Sequence, residues 1–243
     1  MNAMSTRYYG NLGALEGESH SRLWGGSGCR EKYMALGDIA RFDKGALIAE
    51  AGKPAEWCYY ILSGRVMAFE YMAASGERYY NFNEEGSLVM DANVILQKAT
   101  PVSFVALTAV EAVRIGRERL MQALREDPDL TMHVMSNLSF KFLAAMDQVR
   151  EATQCSVAWK ACNLLLTFAE RYGVPYDGKI LIKEKISQQI MANLLGVNRI
   201  TMVRAIKELR ELGMIEQVNG FYCIRDKEKM RAFMQEANIP REG

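Results

Sequence analysis

The sequence is poor in the residues from which metal-dependent and nucleophilic enzymes build their sites. It contains only two histidines, His20 and His133, far apart in the chain. A cupin-like metalloenzyme needs clustered histidines and a carboxylate. The chain also lacks a phosphate-binding loop motif and a nucleophile elbow. We therefore predict no catalytic or metal-binding residue, and a cupin-like enzyme remains only a remote alternative.

Disulfides, membrane spans and secretion signals are missing as well. The five cysteines are odd in number and scattered, so they do not form a disulfide framework. No apolar run approaches the roughly 20 residues that cross a bilayer, and no signal peptide opens the chain. We expect a cytoplasmic protein with no membrane partner.

The charge is distributed unevenly although the net charge is only +1. Residues 157–243 hold 14 basic and 10 acidic side chains, a net charge of +4. Residues 1–156 hold 16 basic and 19 acidic side chains, a net charge of −3. The basic excess lies in the C-terminal part, where nucleic-acid binding is to be sought.

The segment 186–204 has the pattern of two short helices joined by a tight turn. Gly196 can adopt the positive φ that such a turn requires, and Asn198 suits the N-cap of the second helix. The pattern predicts a helix-turn-helix, whose second helix enters the major groove of DNA. An ordinary surface helix with solvated charges is the alternative reading of the second helix alone.

The second helix separates into an apolar and a basic face. At 100° per residue, Met202, Ala205, Ile206 and Leu209 share the apolar face. We predict that Arg199 and Arg204 read guanine and that Ile200 makes only an apolar contact, for example with a thymine methyl. Gln188, Gln189 and Lys207 are expected at phosphates, and Thr201 either at a phosphate or capping the helix. With Asn198, these are the predicted DNA-binding residues.

A hairpin follows the second helix. Gly213 suits the helix C-terminus, and Asn219-Gly220 between 216–218 and 221–224 predicts a type I′ turn. A helix-turn-helix followed by a hairpin is the winged architecture.

The N-terminal two-thirds combine short strands with one long helix. Segments 47–48, 57–62, 66–71, 79–82 and 102–113 carry strand signals separated by turn residues, which predicts an antiparallel barrel.

Pro128 suits the start of the long helix. Apolar residues then recur at heptad spacing, which favours a dimer coiled coil over burial against the barrel. The predicted dimer seam comprises Met135, Leu138, Phe142, Ala145 and Val149. Two recognition helices would then meet half-sites about 34 Å apart in a palindromic operator.

This order of domains resembles the CRP/FNR family of bacterial transcription regulators. The resemblance rests on Gly45-x-Leu47-Ile48-x3-Gly52, on 59–66 (Tyr-Tyr-Ile-Leu-Ser-Gly-Arg-Val) and on 196–204. It implies a homodimer in which a small effector between barrel and long helix repositions the DNA-binding domains. RNA polymerase would be a further partner of an activator. An effector-independent regulator with a vestigial barrel is the main alternative.

The resemblance also shows departures from the known branches. The family's phosphate-binding Gly-Glu pair falls on Met90-Asp91 and its Arg-Ser pair near Thr100-Pro101, which argues against cyclic AMP. One N-terminal cysteine, Cys29, does not suffice for an iron–sulfur cluster. His133 is expected to be a packing or solvated histidine rather than a haem ligand. No cofactor is therefore expected.

Within the family, the segment 85–89 (Glu-Gly-Ser-Leu-Val) and the recognition region 196–204 most resemble those of the halogenated-phenol-responsive branch. That resemblance places Lys141 where a lysine meets the phenolate, and a solvated Lys141 is the competing interpretation. The expected effector pocket comprises Phe82, Val89, Met90, Asp91, Phe104 and Lys141.

The expected fold is α+β. It consists of an N-terminal arm at 1–37, an effector-binding antiparallel β-barrel of jelly-roll type at 38–125, a dimerisation helix at 126–156 and a winged helix-turn-helix domain at 157–243.

Overall fold

A computed structural model describes residues 27–72 and 76–236 of the chain. His20 and the rest of the predicted arm before residue 27 lie outside the described residues, as does 237–243. The chain divides into two compact units. The first comprises 27–71 and 79–144 of the described residues, and the second consists mainly of 145–236.

Two four-stranded sheets form the frame of the first unit. The strands are β1 (Asp38–Phe42), β2 (Leu47–Ala49), β3 (Trp57–Ser63), β4 (Val66–Met72), β5 (Gly76–Asn83), β6 (Leu88–Val89), β7 (Ser103–Ala106) and β8 (Val110–Gly116). One sheet has the order β1-β8-β3-β6 and the other β2-β7-β4-β5. Antiparallel pairing in both sheets agrees with the predicted fold class.

Strand β3 shows how the two faces of a sheet are used. Tyr59 and Ile61 point into the core between the sheets, together with Ala68 of β4 and Phe104 of β7. Residues 58, 60 and 62 point the opposite way, because successive side chains alternate across a strand, and pack against helices. The continuous apolar run 58–62 therefore reflects a strand buried on both faces.

In the described residues, four helices accompany these sheets: α1 (Ser27–Met34), α2 (Asp91–Leu96), α3 (Arg117–Glu126) and the long α4 (Pro128–Gln154). Tyr33 of α1 and Leu120 of α3 are fully buried on the outer face of the β3 sheet. Asp127 caps α4, because its Oδ1 accepts from the backbone N–H of Asp129 at 2.9 Å. Pro128 occupies the first helical position, as predicted.

The second unit contains α5 (Val157–Tyr172), β9 (Gly173–Tyr176), β10 (Lys179–Ile182), α6 (Gln188–Leu195), α7 (Arg199–Glu211), β11 (Ile215–Val218), β12 (Phe221–Ile224) and α8 (Lys227–Glu236). Its strands form one sheet in the order β11-β12-β10-β9. Trp159 is fully buried and donates its indole N–H to the Met234 carbonyl at 2.9 Å.

One predicted strand is divided. The segment 102–113 forms β7 and β8 with a turn at 107–109. The backbone N–H of Arg65 donates to Thr108 Oγ1, and that of Leu107 donates to the Arg65 carbonyl. These bonds hold the turn against the start of β4, a tertiary contact that apolar alternation does not encode. In the described part of the chain, no helix is both long and apolar enough to cross a bilayer.

Candidate functional site

Helices α6 and α7 are joined by the predicted glycine turn. Gly196 has φ 63°, in the left-handed region, and its N–H donates to the Ala192 carbonyl. The Val197 N–H donates to the same carbonyl at 3.0 Å. Gly196 thereby ends α6 and redirects the chain at once into α7, because glycine adopts this conformation without a Cβ penalty.

The predicted cap begins α7. Asn198 Oδ1 accepts from the Thr201 backbone N–H at 2.8 Å and from the Thr201 hydroxyl at 2.9 Å. Thr201 therefore takes part in the start of the helix, the second of the two roles considered for it. Ser187 caps α6 in the same way, accepting from the Ile190 N–H at 3.1 Å. Both helices thus start at a side-chain cap.

The two faces of α7 are those that the periodicity predicted. Met202, Ala205, Ile206 and Leu209 are buried. Arg199, Arg204 and Lys207 are exposed, and Ile200 is 66% exposed despite its apolar side chain. In the described residues no carboxylate pairs with either arginine, whereas Lys207 lies 3.6 Å from Glu211. Within the described part of the chain, two guanidinium groups therefore lie on one face without an ion-pair partner.

The wing also follows its predicted turn chemistry. Asn219 and Gly220 both have positive φ, 52° and 83°, as a type I′ turn between β11 and β12 requires. At the end of α7, the Gly213 N–H donates to the Arg210 carbonyl and the Met214 N–H to the Leu209 carbonyl. This is a Schellman motif, and it fixes the direction in which the chain leaves the helix for the wing.

A groove of about 470 Å³ separates the start of α6, the start of α7 and the wing. It is lined by Lys185, Ile186, Ser187, Gln188, Gln189, Ile190, Arg199, Gln217, Asn219, Gly220 and Tyr222. Among the residues that the structure describes, this lining contains two cationic side chains, several amides and no carboxylate. Burial raises the pKa of the Tyr222 phenol, which keeps that side chain neutral. The groove is thus suited to polyanionic backbone phosphates.

The groove adds residues that the sequence analysis missed. Lys185, Gln217 and Asn219 line it beside the predicted Gln188, Gln189 and Arg199. Lys185 also lies over the Phe221 ring, with Nζ 5.8 Å from the centroid. A basic residue just before a helix-turn-helix was the available signal for Lys185, whereas the wing residues reach the groove only through the packing of the hairpin.

The expected effector residues fall into two groups in the first unit. Val89, Met90 and Phe104 belong to the tightly packed core between the sheets, with exposures of 1%, 6% and 8%. Phe82 of β5 is also buried. Met90 has φ 65°, a left-handed conformation that is unusual for a residue with a Cβ.

Asp91 and Lys141 form the second group. The Asp91 side chain, 2% exposed, lies 2.6 Å from Lys141 Nζ, which also donates to the Leu88 carbonyl at 2.9 Å. Asn137, one turn before Lys141 on α4, donates to the other Asp91 oxygen. Lys141 is therefore ion-paired rather than solvated, and Asn137 is a partner that the sequence analysis did not identify. The i, i+4 spacing of Asn137 and Lys141 was its only signal.

His133 packs in the core of the first unit. Its side chain is 3% exposed, and its Nδ1 is hydrogen-bonded to the Tyr33 hydroxyl at 2.9 Å. Tyr33 in turn stacks on Tyr60 at 4.4 Å. Burial lowers the pKa of the His133 imidazole, so this histidine is neutral near pH 7. The described residues contain no cluster of three or more potential metal-binding side chains.

The predicted dimer seam is largely uncovered on α4. Met135, Phe142 and Val149 are 55%, 63% and 60% exposed, and Ala145 is exposed as well. Leu138 is half-buried and packs partly on the outer core of the first unit. A row of large apolar side chains at heptad spacing and open to solvent is typical of a coiled-coil surface.

Comparison with known proteins gives two domain families along the chain. Residues 39–127 match the cyclic nucleotide-binding domain, and residues 160–233 match the Crp-like helix-turn-helix domain. A global nitrogen regulator of Synechocystis sp. is 28% identical over 179 residues, covering 73% of this chain and 80% of that protein.

Solved structures share the fold at low sequence identity. CprK complexed with OCPA superposes with a TM-score of 0.66 at 16% identity, covering 82% of this chain and 92% of that one. The c-di-GMP-responsive regulator CLP of Xanthomonas campestris superposes with a TM-score of 0.71 at 19% identity, covering 82% and 99% of the two chains.

Proposed function

Because this chain belongs to the CRP/FNR family of transcription regulators, we propose that it acts as a homodimer whose binding to a palindromic operator is gated by a small effector. Its family and relatives are transcription regulators rather than enzymes, so the cupin-like alternative falls away. The observation that carries the proposal is α7, which has a buried apolar face and, on the opposite face, two exposed arginines that no carboxylate of the described residues pairs with.

We assign base recognition to the exposed face of α7. Arg199 and Arg204 can each form a bidentate pair with guanine O6 and N7. Ile200 stands where the family commonly carries a glutamate. Its side chain has no hydrogen-bonding group and can contribute only an apolar contact, so the operator should differ at that base from sites read by the glutamate. Lys207, Gln188 and Gln189 are assigned to phosphates, and Asn198 and Thr201 hold the start of the helix toward the groove.

Selection of binding sites from random DNA tests this assignment. Arg204→Ala should cost about 1–3 kcal/mol and relax the preference for one guanine. Lys207→Ala should weaken binding to all sequences alike and reduce the salt slope by about 1. Lys229→Ala, an exposed lysine on α8 away from the groove, is the control. Half-sites without guanine would show that the arginines do not read bases.

The effector is proposed to be something other than a cyclic nucleotide. Met90 places a buried side chain where the cyclic-AMP branch carries glycine, and Thr100-Pro101 stand near the place of that branch's Arg-Ser pair, so the arginine that would meet the anionic phosphate is replaced. Asp91 is already paired with Lys141. Saturable, micromolar binding of cyclic AMP in a calorimetric titration would contradict this part of the proposal.

An anionic aromatic effector would have to compete with Asp91 for the ammonium group of Lys141. An ionised phenol is attracted to Lys141, but Asp91 already neutralises that lysine from inside the unit. We propose that such an effector takes over the ammonium group of Lys141 and thereby loosens the bond between α2 and α4. Neutral ligands would lack this route to the long helix.

A double substitution separates effector recognition from stability. Lys141→Met alone leaves the buried Asp91 charge without its cation and should cost about 3–5 kcal/mol. Asp91→Asn combined with Lys141→Met removes both charges and should fold with much smaller loss. A dichlorophenol should stabilise the parent protein and strengthen DNA binding, whereas its methyl ether, as the uncharged control, should do neither. Full retention of the phenol response by the double variant would overturn the role of Lys141.

The effector-independent alternative also has support. Val89, Met90 and Phe104 fill the space between the sheets, and each of them is buried. If no effector enters this filled core, the protein must bind its operator without a small molecule. Constitutive binding together with an absence of ligand-dependent thermal shifts across a metabolite panel would favour this alternative.

A further inference from the structure

The first unit contains a groove of its own, separate from the groove beside the wing. None of the proposed effector residues lines it. It has a volume of about 420 Å³ and lies where β8 ends and α3 begins. Three arginines line it, Arg114, Arg117 and Arg119, together with the ring of Trp57. The volume is within the range of small-molecule sites in proteins.

The three arginines have few internal partners. Arg114 lies 3.9 Å from Asp38, and these side chains are 43% and 82% exposed, so the pair is loose. Arg119 donates to the Leu36 carbonyl at 3.4 Å. The Nε of Arg117 is buried and, in the described residues, has no hydrogen-bond partner. Buried donors in proteins are nearly always paired, so an acceptor is expected here.

The start of α3 adds donors to the same groove. This helix has ten residues, and Gly116 at its N-cap offers no side-chain cap. The first-turn N–H groups of Arg117, Glu118 and Arg119 have no acceptor within the helix and carry partial positive charge. Oxyanions bind readily at such a helix start.

The Trp57 ring contacts one of the arginines. The guanidinium carbon of Arg114 lies 4.6 Å from the ring centroid, within the range of a cation–π contact. Gly116 permits this packing, because a Cβ there would lie 3.2 Å from the ring. The groove thus places the guanidinium group of Arg114, in contact with Trp57, beside the N-terminus of α3.

The charge of the lining limits the ligand. Asp38 and Glu118 also line the groove, so the three arginines leave an excess of one positive charge. That excess suits a single oxyanion group and is too small for a polyanion such as a nucleic acid. We propose that this groove binds a small molecule through one phosphate or carboxylate group, held by Arg117, Arg119 and the first turn of α3.

Calorimetric titration of the full chain at low ionic strength tests the proposal. Inorganic phosphate and succinate are titrated separately. At least one of the two should bind saturably, and the two titrations distinguish the kinds of oxyanion. Arg117→Gln should weaken that binding at least about tenfold, since it removes a charge-assisted donor. Glu118→Gln should strengthen it, because it removes a competing carboxylate.

Arg125→Gln is the matched control, because Arg125 is an exposed arginine in the last turn of the same helix. It makes the same charge change outside the groove and should leave affinity unchanged. If Arg117→Gln does not fold, Arg119→Gln replaces it, since Arg119 is exposed. No saturable binding of either anion, or equal losses in Arg117→Gln and Arg125→Gln, would overturn the proposal. Neither outcome bears on operator binding, which involves the other unit.

Discussion

Single buried residues in the first unit combine local strain with long-range pairing. Asp91 follows the left-handed Met90 directly and receives Asn137 and Lys141 from a helix about 50 positions later in the chain. A carboxylate buried this deeply is stable only because cationic and amide donors meet it. The sequence identified Lys141 and Asp91 through a resemblance, but it did not predict that they pair with each other.

His133 should make stability depend on pH. Burial lowers the pKa of its imidazole below the ordinary value of about 6.5, against a smaller opposing effect of Asp91. Below about pH 6.5 the unfolded chain binds a proton that the folded protein resists, so the free energy of unfolding should fall from pH 7 to pH 5.5. Urea unfolding across this range should show the decline, and His133→Gln should flatten it.

Tyr33→Phe provides the control for this prediction. It removes the hydrogen bond to Nδ1 but leaves the histidine buried, so the decline with pH should persist. Identical pH dependence of the parent protein and His133→Gln would mean that the histidine does not contribute.

Two glycines with the same backbone conformation should respond differently to alanine. Gly64 and Gly45 have φ of 89° and 86°, so both substitutions strain the backbone. At Gly64 the added Cβ would also lie 2.2 Å from the Ala109 carbonyl oxygen, whereas at Gly45 it meets nothing within 4 Å. Gly45→Ala should cost about 1 kcal/mol, and Gly64→Ala at least about 1 kcal/mol more. Chemical unfolding measures both losses of unfolding free energy. Equal losses would show that the backbone at Ala109 moves away from the added Cβ at little cost.

At the scale of elements, long periodic helices were predictable and short elements were not. Helix α4 begins at Pro128 as predicted, and α7 buries the four residues that periodicity selected. The two-residue β6 and the six-residue α2 gave no periodic signal, because a pattern needs more residues than they contain. The sequence did not predict helix α3, although this helix forms one side of the groove lined by Arg114, Arg117 and Arg119.

The exposed row on α4 yields a test of self-association. Phe142→Ser should raise the dimer dissociation constant at least tenfold, because burying a phenylalanine is worth about 1.5–3 kcal/mol. Leu143→Ser is the matched control, since Leu143 is equally exposed at 61% but lies off the predicted heptad positions. Sedimentation velocity over a range of concentrations measures both. An unaltered dimer in Phe142→Ser, or the same loss in Leu143→Ser, would exclude the predicted seam.

At the scale of the whole molecule, two separately packed units share one chain. The first has its own cores on both faces of the β3 sheet, and the second is built around the buried Trp159. Such chains commonly depart from two-state unfolding. The division runs through α4 at residues 144 and 145, so the helix that carries the predicted seam belongs to both units.

Calorimetric unfolding should therefore show two transitions, of which DNA shifts one. An operator duplex binds the unit that contains α6 and α7, and at a hundredfold excess over its dissociation constant it should add about 2.7 kcal/mol to that unit's stability. The other transition should stay in place. Arg204→Ala should reduce the shift, and a single transition that moves as a whole would mean that the units unfold together.

The sequence by itself determined the features that depend on neighbouring residues. The turn at Gly196, the cap at Asn198, the faces of α7 and the type I′ wing all follow from local backbone preference and a period of 3.6 residues. Only the tertiary structure decided which distant side chains meet. The Asp91–Lys141 pair and the grouping of Trp57 with Arg117 bring together residues about 50 or more positions apart. Such proximity is set by how strands and helices pack, and no local pattern encodes it.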